Sequence, residues 1–244
     1  MSRFYVRPED VRGDEVLVSK EEAHHIANVM RMVLGDKVVA FDGTGKEYVG
    51  TISDVSKEGL RIKISRTNEV NTSKKIHVSL AQALPKKAKM DSIVEKSTEL
   101  GVDEIVPLVT ERTIVKITQG KRDDKRTRWQ NIAISASKQC GRLDVPEVKT
   151  PVRFKDFLDE LEPYDTVMMA CLSEETTPIK DCISNLKHGK ILVMVGPEGD
   201  FSPGEIESAK SRGAKLISLG RLVLKSDTAG LYILSVLNYE NSGV

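Results

Sequence analysis

The stretch from Lys190 to Gly230 constrains the fold most, because a strand, a turn, a capped helix, a second strand and a second turn follow one another there. Ile191 to Val195 is an unbroken apolar run with β-branched members. Such a run is too short for an independent helix and predicts a central parallel strand covered on both faces. It ends in Gly196-Pro197-Glu198-Gly199, where two glycines allow positive φ and close backbone approach. Ser202-Pro203-Gly204-Glu205 then marks a helix start, with a capping hydroxyl, proline at the first helical position and a glutamate placed to complete a capping box. A helix therefore begins just beyond a strand's carboxyl end. In open α/β sheets that crevice binds ligands, and the amides of the turn and helix start supply donors. An ordinary βα turn accounts for the same residues, so this loop alone leaves both readings open.

A second loop shifts the balance. Lys215 to Leu219 is another short apolar strand, and Gly220 to Asp227 leads into an apolar-rich helix from Thr228 to Tyr239. Two glycine-bearing loops at one sheet edge can line one pocket. Neither has the spacing GxGxxG or GxxxxGKS/T, so a dinucleotide fingerprint and a phosphate loop are not supported.

The rest of the chain divides by rhythm. Up to about Val70, short β-like runs alternate with turns: Phe4 to Val6, Glu15 to Val18, Lys37 to Phe41, Tyr48 to Ser53 and Leu60 to Ser65, with a hairpin turn at Asp42-Gly43-Thr44-Gly45. One helix interrupts them. It starts at the capping box Ser19 to Glu22, continues through Ala23, Ile26, Ala27, Met30 and Val33, and closes at Gly35-Asp36. These signals predict a small β-barrel with one helix over 1–70. Asn68 to Lys75 is polar and aperiodic, a linker. From 75 to 244 strands alternate with helices: strands at Ile76 to Leu84, Glu104 to Thr110 and Asp165 to Leu172, helices at Ala88 to Leu100 and Asp123 to Cys140. That alternation predicts an α/β domain with a mostly parallel, doubly wound sheet.

Composition narrows the function classes. The 244 residues are 39% hydrophobic and 30% charged, enough apolar content for a packed core. No apolar run reaches the roughly 20 residues of a membrane span, and the start carries no hydrophobic signal core, so a cytoplasmic location without membrane contact is the expectation. Cys140, Cys171 and Cys182 form no CxxC pair or Cys/His cluster, which predicts buried structural thiols and no metal. With a formal charge of +1, any polyanion must be held by local basic patches. Arg112 to Arg128 is the strongest such patch, with Arg112, Lys116, Lys121, Arg122, Lys125, Arg126 and Arg128 against Asp123 and Asp124. A solvated helix face fits it too, as it fits Lys86, Lys87 and Lys89 at the end of the first strand of the second domain. Of the adjacent His24 and His25, one is expected packed and one exposed. No Ser-His-Asp set or paired carboxylates stand out, so hydrolase mechanisms lack support.

The blocks VGPEGDFSPGEI, SLGRLVLKSDTA, LPKKAKMDSIVEKSTELGVDEIVPLVTERT, RWQNIAISASKQCGRLDVPEV and HHIANVMRMVLGD together resemble the signatures of the RsmE family. These are the 16S ribosomal RNA uridine-N3 methyltransferases of the SPOUT superfamily. The resemblance implies a PUA-like β-barrel for RNA docking, a trefoil-knotted α/β domain that holds S-adenosylmethionine, and a homodimer acting on small-subunit ribosomal RNA or its particle. It maps the donor site onto Leu172, onto Gly196, Pro197, Glu198 and Gly199, and onto Ser218, Leu219, Gly220, Leu222, Val223, Leu224 and Ala229. It points to Arg112, Lys86, Arg142 and Glu99 as catalytic candidates. The chain departs from the family pattern at Asp200, where a second glycine is usual, and at Leu222, where an arginine is. Two rivals stay open: a related methyltransferase acting on another nucleotide or a ribose hydroxyl, and a non-catalytic RNA-binding assembly factor.

Overall fold

Alternation of apolar and polar residues along the first strands gives a sheet with one face turned inward. The computed structural model describes residues 3–24, 26, 30–56, 59–69, 75–86, 89–115, 118–184 and 186–241, with only the backbone of Lys20, Glu21 and Gln119. Two units are present, one made of 1–73 with 137–145 and the other of 74–136 with 146–244.

The first unit contains β1 (Arg3–Tyr5), β2 (Val11–Arg12), β3 (Glu15–Val18), α1 (Lys20–His24), β4 (Lys37–Phe41), β5 (Lys46–Ser56) and β6 (Gly59–Glu69). Its sheet runs β1-β4-β5-β6-β3-β2, antiparallel except for β1 beside β4. Phe4 of β1 and Val16 and Val18 of β3 stand far apart in that order yet share one core with Val38, Ile52 and Ile62, so the sheet curls around its apolar face. Curling is helped at Gly50, where the β5–β6 register shifts and a Cβ would lie 2.3 Å from the Lys63 carbonyl oxygen. Only glycine fits there, and such bulges bend a strand.

The helix expected to reach Val33 stops before Met30. Ser19 caps it as predicted, its Oγ accepting from the Glu22 amide; α1 covers Lys20–His24 and Ile26 is still helical, whereas the chain from Met30 to Val33 is not. Arg31 takes φ 55°, Ile26 lies in the core and half-buried Met32 packs against it, while Met30 and Val33 are exposed. The helical spacing of apolar residues includes members, Met30 and Val33, that do not face inward. His24 is exposed, and His25 lies outside the described residues. The linker expected from Asn68 begins later, because Asn68 and Glu69 still pair with Glu47 and Lys46.

The second unit adds β7 (Ile76–Ala83), α2 (Lys89–Glu99), β8 (Glu104–Val109), α3 (Arg122–Cys140), β9 (Glu147–Val148), β10 (Val152–Arg153), α4 (Phe154–Phe157), β11 (Thr166–Ala170), β12 (Thr177–Pro178), α5 (Ile179–Ile183), β13 (Gly189–Val195), α6 (Pro203–Ser211), β14 (Lys215–Ser218) and α7 (Ser226–Asn241). The last turn of α3 is counted with the first unit. All strand pairs are parallel, in the order β10-β8-β7-β13-β11-β14-β12, with β9 on β8. Both faces are covered, which is why β13 is apolar from Ile191 to Val195. Leu192 and Met194 pack with Phe154 and Phe157 of α4 and Ala209 of α6. On the other face Gly230 of α7 approaches Leu80, where a Cβ would stand 3.5 Å from its side chain.

The thiols divide: Cys171 is buried, Cys182 half-buried and Cys140 exposed, which corrects the expectation of three buried cysteines. Cys140 ends α3, where the helix surface turns to solvent.

Candidate active site

β13, β11 and β14 are neighbours and end level, since Ala170 pairs with Val195 on one side and Ile217 on the other. Three segments, 171–176, 196–202 and 219–225, therefore leave the carboxyl edge side by side, the position where parallel sheets bind ligands. A cavity of about 270 Å³ lies among them.

The 196–202 loop is held from several directions. Asp200 has φ 60°, a left-handed conformation that aspartate is among the few non-glycine residues to tolerate. Its amide donates to the Pro197 carbonyl at 3.0 Å. Its carboxylate accepts from the Phe201 amide at 2.8 Å and, across the pocket wall, from the Leu172 amide at 2.8 Å. Glu198 accepts from the Lys86 amide at 2.9 Å, and Arg112 donates through one nitrogen to the carbonyls of Gly199 at 2.7 Å and Phe201 at 3.2 Å. The capping box forms as read, Ser202 and Glu205 each bonding the other's amide, and Glu205 also accepts from the Glu111 amide at 2.8 Å. At Gly196 a Cβ would come within 3.1 Å of the Phe201 amide nitrogen and 3.2 Å of an Asp200 carboxylate oxygen. The Gly196 carbonyl accepts from buried Ser226 Oγ, which accepts from Gln82 Nε2 at 2.9 Å.

The 219–225 loop is looser. Gly220 has φ 120° and its amide donates to Ser218 Oγ at 3.3 Å. Leu222 and Val223 are 80% and 73% exposed, and the amides of Leu222, Val223 and Leu224 have no hydrogen-bond partner among the described residues. Beyond the loop, Lys89 Nζ grips both oxygens of Asp227 at 3.1 and 3.2 Å, joining the first turns of α2 and α7. Unpaired amides among apolar side chains suit a flat ligand with a polar edge. Cys171 lines the cavity, but burial, and secondarily the Asp200 charge, push its thiol up to about 11. It is a protonated thiol at neutral pH and not an ionised nucleophile.

Of the expected donor-site residues, Leu172, Gly196, Pro197, Glu198, Ser218, Leu219, Gly220, Leu222, Val223, Leu224 and Ala229 line the cavity. Gly199 does not; it is exposed, with the Arg112 side chain 3.6 Å from where a Cβ would stand. The four catalytic candidates are dispersed. Arg112 and Lys86 sit on the 196–202 loop through the bonds above. Arg142 belongs to the first unit, where it pairs with Asp144 at 2.7 Å. Glu99 pairs with Lys96 at the far end of α2, about 15 Å along the helix from Lys89 at 1.5 Å per residue. That end lies at the opposite, amino edge of the sheet, because α2 runs back against the direction of β7.

Of the basic stretch, Arg126 donates to the Val148 carbonyl and Arg128 to Asp91, while Lys121 is exposed and Lys116 lies outside the described residues. Sequence reasoning missed Asp200, Lys225 and Ser226 in the lining and Gln82 behind it. Gln82 carried a signal, a lone amide near the end of the apolar run from Ile76 to Leu84, and the structure buries it fully. Among the described residues no cluster of three or more His, Cys, Asp or Glu could hold a metal, and no described helix is long and apolar enough to cross a membrane.

Comparison with known proteins agrees in both halves. Residues 72–238 match the model of an RNA methyltransferase domain, and residues 18–65 match that of an RNA methyltransferase PUA domain. The ribosomal RNA small subunit methyltransferase E of Bacillus subtilis is 32% identical, over 98% of this chain and 97% of its own. A methyltransferase from Legionella pneumophila, solved with the bound cofactor SAM, superposes with a TM-score of 0.88 at 34% identity, over 97% of this chain and 96% of its own. The ribosomal RNA small subunit methyltransferase E from Neisseria gonorrhoeae, solved with S-adenosyl methionine, gives 0.85 at 29% identity, over 98% and 97%. The sheet-edge pocket thus sits in a chain that belongs, over nearly its whole length, to the RNA methyltransferase family of the ribosomal RNA small subunit methyltransferase E proteins.

Proposed function

We propose that this chain methylates N3 of a uridine in 16S ribosomal RNA, with S-adenosylmethionine as donor. The observation that carries the reading is the three-loop pocket, with unpaired amides at Leu222 to Leu224 beside the apolar walls of Ile217, Leu219 and Ala229. Those groups fit a nucleoside: backbone N–H groups read the adenine edge while leucine side chains cover its faces. When bound, the donor would supply a sulfonium methyl for attack by the ring nitrogen, with the neutral thioether as leaving group.

The chain's own part is placement and charge. A uracil N3–H is a weak acid, and cations near the neighbouring carbonyl oxygens ease loss of its proton. Lys86 is exposed on the segment tied to Glu198, and Arg112 uses one nitrogen on the loop carbonyls. Its other guanidinium donors have no partner among the described residues, leaving them for a phosphate or a uracil oxygen. Arg142, fixed by Asp144 in the first unit, is assigned to RNA contact, and Glu99 takes no part. The target base must leave its stack to enter a sheet-edge pocket.

The same reading makes 1–70 a PUA-like RNA-docking domain and 75–244 the methyltransferase domain, in a cytoplasmic homodimer. A trefoil-knotted path is supported by the insertion of β14 between β11 and β12, followed by the return of α7 onto β7 and β13. Exposed Tyr232 and Tyr239 on α7 support a partner surface for a second copy. Mass spectrometry of 16S ribosomal RNA tests the function: deleting the chain removes N3-methyluridine and restoring it returns the mark. An unchanged signal in the deletion strain would refute the assignment.

A further inference from the structure

The charged side chains lining the cavity are Glu198, Asp200 and Lys225. Glu198 is exposed and turned to the Lys86 amide, and Lys225 is exposed to solvent. Asp200 differs. It is half-buried in the wall, each carboxylate oxygen is fixed by a backbone amide, and it forms no ion pair among the described residues. Amide donors orient and stabilise a carboxylate without cancelling its charge. That charge is felt inside the pocket, where it is the second cause, after burial, of the raised Cys171 thiol.

A fixed, uncancelled carboxylate in a partly buried wall attracts a cation more strongly than it would in bulk water. It does nothing comparable for a neutral ligand of the same shape. Methyl transfer changes the ligand in that respect: the methyl moves to the acceptor nitrogen, the bonding pair stays on sulfur, and a sulfonium becomes a neutral thioether. We propose that Asp200 is a specificity-determining residue that makes the pocket prefer the sulfonium donor over its thioether product, S-adenosylhomocysteine. The inference rests on the donor reading above. Asp200 also joins the 196–202 loop to the 171–176 segment through the Leu172 amide, so the charge and the spacing of the two walls reside in one side chain. Product release then follows from chemistry, since the attraction lapses when the methyl leaves.

Calorimetric titration of the full chain with S-adenosylmethionine and with S-adenosylhomocysteine separates charge from spacing. Asp200→Asn keeps a residue that accepts φ 60° and one of the two oxygens that accept from backbone amides, and Asp200→Gly adopts that conformation without strain, so both variants retain the fold. With Asp200→Asn, donor affinity falls about tenfold while product affinity changes less than about threefold, at 1.4 kcal/mol per tenfold. Asp200→Gly loses the same preference and weakens both ligands further by releasing Leu172. Equal losses for both ligands, or an unchanged ratio in both variants, would overturn the inference while leaving the donor reading intact. Wild-type chain that binds neither ligand overturns the donor reading and the inference with it.

Discussion

The two glycine-bearing loops at the sheet edge solve opposite problems. The 196–202 loop is over-determined: Asp200 holds Leu172, Glu198 holds Lys86, Arg112 spans Gly199 and Phe201, and Ser226 holds the Gly196 carbonyl. The 219–225 loop keeps the amides of Leu222, Val223 and Leu224 without partners among the described residues and two large apolar side chains, Leu222 and Val223, in solvent. A pocket needs both kinds of wall. Fixed geometry places a reacting atom, whereas unsatisfied donors and exposed apolar side chains gain partners only when a ligand arrives.

Substitutions in the two loops should therefore separate stability from binding. The largest effect is expected at Gly196→Val, whose side chain would enter the space of Phe201 and Asp200. Donor affinity should fall at least about 100-fold, and overpacking should cost about 1–3 kcal/mol in urea unfolding. Ser226→Ala comes next. It leaves the Gly196 carbonyl without that donor and Gln82 Nε2 with only the Ala83 carbonyl, so about 1–3 kcal/mol of stability should be lost. Donor affinity should fall in parallel, since the rigid wall is what loosens. Leu222→Ala is the smallest in stability, within about 0.5 kcal/mol because the side chain is already in water. Its donor affinity should nonetheless drop about threefold by calorimetry. A Leu222→Ala chain that unfolds as readily as Ser226→Ala would erase the distinction between the loops.

Much of this site was legible in the residues. Ile191 to Val195, closed by Gly196 and followed by Ser202-Pro203-Gly204-Glu205, spelled a buried strand, a tight turn and a capped helix, and the cap forms with both reciprocal bonds. These are local signals, carried by residues a few positions apart. What sequence could not carry is adjacency across the chain. The Gln82–Ser226 bond joins residues separated by 144 positions, and β14 lies beside β11 only because of the strand order. Arg142 belongs to the first unit because Leu143 and Val145 exchange backbone bonds with Gly45 and Gly43. Glu99 was misplaced for the converse reason: near Lys86 in sequence, it is carried by α2 to the other edge of the sheet. The helix overrun to Val33 shows that apolar spacing describes a helix only when every member faces the core, which Met30 and Val33 do not.

Hydrogen exchange of the full chain, with and without S-adenosylmethionine, tests the account most directly. The amides of Leu222, Val223 and Leu224 should exchange at least about tenfold more slowly when donor is bound, matching about 1.4 kcal/mol of new protection. Amides already bonded in the 196–202 region, Asp200 and Phe201 among them, should change little. Bound donor that leaves 222–224 unprotected, or that protects both loops alike, would contradict a pocket built from one fixed wall and one that closes on its ligand.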